Sequence, residues 1–434
     1  MSELNVNSLE KDIVKMSFFS CNYRISIVFY KVRIQTRSTN VEGVIMEYTI
    51  PHYFDRFRCV AAECEDTCCA GWTIMIDEES LEKYQNMEGA LGNRVRNSID
   101  WENGSFCQYE NRCAFLNEDN LCDLHMEAGE HMLCKTCRDY PRHMEEYEGL
   151  REGSLSLSCI EAAKIILGCK EPIQFIRFED EVEDEEYEDF DFLLFTKLMD
   201  AREKIIEVLQ NREIDIMVRI GLCLDLAKSM QDALEKEELY QVDEMLEHFG
   251  SMDSILAFQK RVDENKMGEN EYCQTVRKMF RVWGQLEVLK EDWPDYVKKA
   301  EKHLFSEGQS GFENNHNEFH KLYGLKSVHN EEWSIWLEQL MVYFVFTYFC
   351  GAVYDEQILG KMQMAVVATF LIQELTIAKW IENGQSMDFN QFVDIAHRVS
   401  RELEHSDVNL VRLEKICGNL PIFKPQQLLR VVLY

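Results

Sequence analysis

Apolar side chains recur three and four residues apart through most of the second half of this chain. The period runs through Phe195–Leu209, Ile214–Leu234, Tyr272–Leu289, Trp333–Val353 and Met364–Trp380. It predicts amphipathic helices, each with one face turned to a core. Gly-rich breaks such as Gly308-Gln-Ser-Gly311 separate the segments. No period of about 20–50 residues repeats, so a solenoid is not indicated. The uncharged run from Leu340 to Tyr354 falls short of the roughly 20 residues that span a bilayer, and it reads as a buried core helix.

Residues 46–170 are patterned differently, as short strands and turns with a few helices. Trp72-Thr-Ile-Met-Ile-Asp77 alternates like a strand. Asp77 is a candidate N-cap for a helix opening at Glu78. Ser158, with Glu161 three residues on, reads as a capping box for a second helix. The fold class expected is mainly α: a cysteine-rich metal-binding N-terminal module with little β, followed by a helical domain. The boundaries are an atypical extension at 1–45, the module at 46–177, an acidic linker at 178–191 and the helical domain at 192–434. Met46 reads as the natural start, with 1–45 a poorly ordered or misassigned extension; an ordinary N-terminal arm is the alternative. The linker carries ten acidic groups in fourteen residues, a self-repelling block suited to solvent or to guiding a basic partner.

Composition narrows the classes. At 434 residues the chain is too long for one core, so two or three domains are expected. Its formal net charge of −32 excludes a nucleic-acid binder, because phosphate contacts need an excess of Lys and Arg. The same charge suits a cytoplasmic protein or one with a basic partner. Residues 1–45 lack a charged start, apolar run and cleavage site in the order a signal peptide needs. A cytoplasmic location without membrane insertion follows as the expectation, and disulfides are rare in such a reducing compartment.

That compartment decides how the cysteines are read. Eleven of sixteen lie between Cys59 and Cys169. A soft metal centre needs thiolates converging from separate loops, with short-spaced pairs to make first contact. Cys64/Cys68/Cys69 and Cys134/Cys137 supply such pairs, and Cys113, Cys122 and Cys159 can close the site from afar. Arg138 and Arg142 are placed to offset thiolate charge or to bind a carboxylate. Structural zinc stays open, although only Cys134/Cys137 has the knuckle spacing. The radical S-adenosylmethionine motif fails, because Gly71 stands where its third cysteine belongs. Cys107 and Cys169 read individually as buried free cysteines.

The residues resemble the bacterial flagellin lysine-N-methylase family. The likeness lies in Pro51-x-Tyr53, Phe57-x-Cys59, Cys64-Glu-Asp-Thr-Cys68-Cys69-x-Gly-Trp72-x-Ile74-x-Ile76-Asp77, Cys113-x-Phe-Leu116 and Cys122. It continues in Cys137-x-x-Tyr-Pro-Arg142, Leu155-Ser-Leu-Ser-Cys159 and Glu404-His405-Ser-Asp-x-Asn409. It covers roughly 46 to 434 and is densest over 51–163. The Cys-Cys, Cys-x-Phe-Leu and Cys-x-x-Tyr-Pro elements also resemble small iron- or zinc-chelating cysteine domains. Ile160 departs from the pattern, where Pro is expected.

The resemblance implies transfer of a methyl group from S-adenosylmethionine to lysine side chains of flagellin, beside a [4Fe–4S] cluster, with zinc as the alternative metal. Cys64, Cys68, Cys69, Cys113, Cys122, Cys137 and Cys159 lead the candidate ligands, with Cys59 and Cys134 behind. A cubane needs only four thiolates, and the spacing does not choose them. No Gly-rich loop for the methyl donor is present. The competing function is a non-enzymatic Fe–S or zinc-binding adaptor. Methyl transfer to lysine needs a neutral amine, helped by aromatic walls and a proton acceptor. Trp72, Tyr140, Tyr343, Tyr348 and Trp380 are wall candidates, and Glu404-His405 falls on a helix with Val399 and Leu403. The catalytic and donor-binding residues, the sites and degree of methylation and the oligomeric state are not legible in the sequence.

Overall fold

Strand β1 (Val44–Pro51) is the spine of the only extended sheet among the described residues. The computed structural model describes residues 44–182, 190–265, 267–323 and 330–433. The expected extension at 1–45 therefore lies outside them except for Val44 and Ile45. The strand β6 (Arg142–Tyr147) turns back through Glu148 and Gly149 into β7 (Leu150–Leu155), and Gly149 takes φ +78° in that turn, which glycine adopts at no steric cost. β7 pairs parallel with β1, and β1 pairs antiparallel along its whole length with β8 (Phe175–Val182). The order is β6-β7-β1-β8. All six residues of β7 are buried. A Cβ on Gly153 would stand 2.8 Å from the Ile50 side chain, so the strand passes where only glycine fits.

The acidic stretch read as a linker from 178 begins as strand instead. Phe178 to Val182 pair with Tyr48 down to Val44, and the backbone ladder tolerates acidic side chains because they lie on an edge strand. Residues 183–189 lie outside the described residues.

Between β1 and β6 the chain makes small elements: α1 (Glu78–Gln85), α2 (Gly89–Asn97), the ribbons β2 (Ile99–Asp100) with β3 (Ser105–Phe106) and β4 (Gln108–Tyr109) with β5 (Arg112–Cys113), then α3 (Asp123–Ala128) and α4 (Lys135–Asp139). They enclose a separate small core of Ile74, Ile76, Tyr84, Val95, Ile99, Phe106, Phe115, Leu124 and Met132. Residues 72–77, read as a strand, make only an isolated bridge from Met75 to Ser105. Their alternation is real, since Ile74 and Ile76 are buried and Met75 is exposed. The ladder stops there because β3 alongside is only two residues long; the Ile76 N–H donates to the Gly104 carbonyl and the Phe106 N–H to the Ile74 carbonyl. Asp77 caps α1 as expected, accepting from the Ser80 N–H at 2.9 Å.

After β7 comes α5 (Ile160–Leu167), and after β8 the helices take over. These are α6 (Phe192–Leu209), α7 (Ile216–Glu235), α8 (Gln241–His248), α9 (Met252–Asp263), α10 (Glu269–Trp283), α11 (Trp293–Phe305) and α12 (Gly308–Tyr323). They continue with α13 (Asn330–Tyr348), α14 (Ala352–Asp355), α15 (Ile358–Glu382), α16 (Phe389–Glu404), α17 (Asp407–Asn419) and α18 (Pro425–Val432). Gly308 and Gly311, read as a break, form the first turn of α12. The period seen to Leu289 ends at Trp283, where α10 stops. Helix α15 is buried nearly all round and packs on α7, α11, α13, α16 and α17. Glu331–Asp355 and Ile358–Glu382 are long and apolar enough to cross a membrane, but their most apolar windows are 78% and 89% buried in the protein. The described residues form one compact unit, so the cysteine-rich part and the helices share an interface.

Candidate functional site

The loop after β1 delivers Cys59, Cys64, Cys68 and Cys69 within a few residues, and local hydrogen bonds then sort them. The Cys113 N–H donates to the Cys69 carbonyl at 2.9 Å. A bridge joins Leu116 to Cys122, and Cys134 caps α4, which carries Cys137. Cys69, Cys113, Cys122, Cys134 and Cys137 thereby gather on the small core. Cys64 and Cys159 pack instead against the large core, with Cys59 and Cys68 as their electrostatic neighbours. The two groups meet at Cys68 and Cys69. Hydrogen bonding from Cys68 holds the Cys69 thiol down at about 7, with Arg401 and Arg112 helping against burial. Cys137 lowers Cys134 in the same way. Burial pushes Cys113 up to about 12 and Cys159 to about 11.

All fifteen described cysteines are free thiols. The donor chemistry is that of a soft metal centre. Among the described residues, however, no three His, Cys, Asp or Glu side chains are arranged to hold a metal ion. Of the expected ligands, Cys69, Cys113, Cys122 and Cys137 lie together on the small core, Cys64 and Cys159 lie on the large one, and Cys68 stands between them. The expected counter-charges also differ. Arg138 turns to Asp139 at 3.3 Å. Arg142 lies over the Phe54 and Phe57 rings and donates to the Phe57 carbonyl. Arg401 and Arg112 take the place beside the thiols.

A second constellation sits against the Cys68/Cys159 side. Helix α16 starts with a complete capping box of Asp388 and Gln391. It buries Phe392, Val393, Ile395, Ala396, Val399 and Leu403, yet its buried face also carries His397, Arg401 and Glu402. Arg401 donates to the carbonyls of Thr67 (2.9 Å) and Ala70, and pairs with Asp66 at 2.7 Å. His397 and Lys290 complete the shell of Asp66 at 3.0 and 2.7 Å. These contacts dock the end of α16 onto the cysteine loop. Glu404 closes the helix, and its Oε2 accepts from the Tyr343 hydroxyl at 2.7 Å and the Ser156 hydroxyl at 3.3 Å. His405 stacks on Trp72 at 4.5 Å and meets Tyr140 edge-on at 5.7 Å. Its Nε2 shares a hydrogen bond with Ser158 Oγ at 2.8 Å, and Tyr140 OH lies 3.1 Å from that same oxygen. Glu404 Oε1 and His405 Nδ1 have no hydrogen-bond partner although both atoms are sealed from solvent.

Burial pushes the Glu404 carboxyl up to about 7, against the pull of the Tyr343, Ser400 and Ser156 hydroxyls. Burial and the nearby Arg401 charge drive His405 down to about 3, so the ring is neutral. Of the wall candidates, Trp72, Tyr140, Tyr343 and Tyr348 belong to this cluster of side chains, the last through its electrostatic contact with Glu404. Trp380 does not; it packs edge-on against Phe319 in the helical core. Ser158 does not cap α5, whose N-cap is Cys159, because its hydroxyl is taken by the cluster. Asp77 spends both oxygens on the Ser80 and Lys135 N–H groups. Sequence reasoning missed Ser156, Asp66, His397 and Arg401. The available signal was polar residues four apart, His397 with Arg401, inside an apolar helical stripe.

On the other flank of the cysteine loop lies a cavity of about 220 Å³. Its lining includes Asp66, Lys290, Asp394, Arg398 and Arg401, so it presents both signs of charge.

The thiol-rich module and the helical body thus meet at a cluster of aromatic side chains that also carries the Glu404 carboxyl. The chain belongs to the family of the FliB lysine N-methylase C-terminal domain, which matches residues 202–431. Over 128 residues it is 30% identical to the lysine-N-methylase of Salmonella typhimurium (strain LT2), a stretch that is 27% of this chain and 32% of that protein. It is also 30% identical over 128 residues to the flagellar biosynthetic protein FliU of Salmonella muenchen, covering 76% of FliU. The match thus spans about a third of the Salmonella typhimurium lysine-N-methylase. No solved structure matches the chain.

Proposed function

We propose that this protein methylates lysine side chains of flagellin, with S-adenosylmethionine as methyl donor. The observation that carries the reading is the family match over 202–431, because that region contains Tyr343, Glu404 and His405. The flagellar name of FliU supports flagellin as the substrate. A neutral amine is the nucleophile in such a transfer, although a free lysine holds its proton up to about pH 10.4. Trp72, Tyr140 and neutral His405 form the desolvating, π-rich wall that favours the neutral amine. The same wall suits a sulfonium donor through cation–π attraction. The mixed-charge cavity beside Asp66 and Arg401 suits the zwitterionic end of that donor.

The reading includes an iron–sulfur cluster held by thiols from the sequence-based set. The gathering of Cys69, Cys113, Cys122, Cys134 and Cys137 on the small core favours that group. Such a cluster would add stability to a module whose own core is small. Free thiols throughout the described residues fit the cytoplasm, where they stay reduced. The test is direct. The purified full chain is incubated anaerobically with S-adenosylmethionine and unmethylated flagellin, and the product is digested for mass spectrometry. Methyllysine is expected in flagellin only when the donor is present; unmodified flagellin after prolonged incubation refutes the activity.

A further inference from the structure

Glu404 is the feature of this side-chain cluster that a purely structural role leaves unexplained. A carboxylate can accept about four hydrogen bonds. Here Oε2 receives those of Tyr343 and Ser156, while Oε1 is enclosed and receives none. The Ser400 hydroxyl is near enough to pull on the carboxyl, yet its own oxygen is also left without a hydrogen-bond partner. Leaving a buried polar atom without a partner is costly, so such an atom points to a missing partner. The neighbours say which kind. Tyr343 itself is locked, since its oxygen also accepts the Leu157 N–H at 3.1 Å. His405, next in sequence, is a flat neutral ring against Trp72, with its own Nδ1 unpaired. A cation enclosed by aromatic rings and one carboxylate is the environment a primary ammonium finds favourable.

We infer that this cluster of side chains is the binding site for the lysine ε-ammonium, and that Glu404 Oε1 pairs with it and accepts its proton. The inference rests on the methylase reading and adds to it a named site and a named base. In the step, one N–H bond of the ammonium breaks and an O–H bond forms on Oε1. The electron pair of the broken bond stays on nitrogen as the lone pair that attacks the donor's methyl carbon; an N–C bond forms as the C–S bond breaks, and its electrons leave on sulfur as a neutral thioether. The proton leaves Glu404 to solvent after the transfer. An acceptor whose affinity for protons is poised near neutrality does this work best, and burial holds Glu404 at about 7. The charged and titratable groups acting on it are Tyr343 and Tyr348 of α13 and His143 of β6, with Glu145 beside His143. Glu145 and Glu404 raise the pKa of His143, but its ring bonds to Glu145 and leaves Oε1 unfilled.

The experiment has two arms on the full chain. Nα-acetyl-lysine amide is titrated calorimetrically at pH 8.5 into wild type and Glu404→Gln. Methyl transfer to flagellin is then followed from pH 5.5 to 9. Glu404→Gln is expected to weaken amide binding about tenfold or more and to lower methyl transfer about 100-fold or more. The acidic limb of the wild-type rate near pH 7 is expected to vanish with it. Tyr343→Phe removes one hydrogen bond from the carboxylate, so its acidic limb is expected to move to higher pH; this variant carries the test if Glu404→Gln does not fold. Unchanged amide affinity in Glu404→Gln, or an unmoved limb in Tyr343→Phe, overturns the assignment even where flagellin is methylated. Glu404-dependent amide binding without any methylation leaves the site standing and removes the methylase reading.

Discussion

Arg401 Nη1 stands 2.7 Å from Asp66 Oδ2, across 335 residues of sequence. That pair, with the bonds from Arg401 to the Thr67 and Ala70 carbonyls, fixes where α16 meets the cysteine loop. Everything in the side-chain cluster is measured from that joint, because Glu404 and His405 follow Arg401 within one helical turn.

Arg401→Met should therefore loosen the joint. Arg401 is 2% exposed and Asp66 27%, and removing one partner of a buried pair costs roughly 3–5 kcal/mol. Asp66 retains Lys290 and His397, so the lower end, about 3 kcal/mol, is expected. Urea unfolding followed by Trp fluorescence measures it. A loss below about 1 kcal/mol, the level of a surface pair, would mean that the joint is held by packing alone.

The fork between Arg202 on α6 and Glu152 on β7 makes a second, independent case. Both residues are buried, and both guanidinium nitrogens reach the carboxylate. Arg202→Met leaves a carboxylate stranded in the strand layer and should cost about 3–5 kcal/mol. The double variant Glu152→Leu with Arg202→Met removes both charges and should recover most of that loss. A double-mutant cycle decides: additive effects would show that the two side chains do not interact energetically.

The helical body was legible because it is built by local periodicity. Phe195–Leu209 and Met364–Trp380 fall inside α6 and α15, and the uncharged run after Leu340 is core. The sheet was not legible. β1 and β8 lie far apart in sequence, and acidic Glu179–Glu181 reads as solvent until Glu47, Met46 and Ile45 are seen across from it. The side-chain cluster was half legible: Trp72, Tyr140, Tyr343 and Glu404-His405 were noticed as separate candidates. Their meeting depends on Arg401 and on Ser158, whose hydroxyl looked like a helix cap. The grouping of thiols depends on which way Cys68 and Cys69 face, and adjacent residues carry no spacing signal for that.

Metal content separates thiols that bind from thiols that merely pack. Cys69→Ser and Cys137→Ser are expected to lower bound iron or zinc and to destabilise the small core. Cys273→Ser, on the buried face of α10, should leave metal unchanged. Anaerobic preparations assayed for iron, sulfide and zinc give the answer, and removing the metal with a chelator should lower stability in wild type by the same mechanism. Wild-type metal content in both Cys69→Ser and Cys137→Ser would remove the small-core group from consideration.

Glu404 makes the stability of the fold depend on pH in a defined direction. Its carboxyl is raised from 4.5 to about 7 in the folded protein. Below about pH 4.5 the group is protonated in both states, and its favourable buried interactions are fully present. As pH rises, the unfolded chain ionises first and the folded one resists until about 7. Stability is lost across that window and stays lost above it. A tenfold difference in proton affinity between the folded and unfolded chains is worth about 1.4 kcal/mol, so the loss is about 3 kcal/mol. Glu404→Gln cannot ionise and should escape it. The difference in unfolding free energy between wild type and Glu404→Gln is therefore expected to move by about 3 kcal/mol in favour of the variant between pH 5 and pH 8. Parallel pH profiles for the two proteins would place the Glu404 proton in the ordinary carboxylate range. They would also remove the poised acceptor from the side-chain cluster.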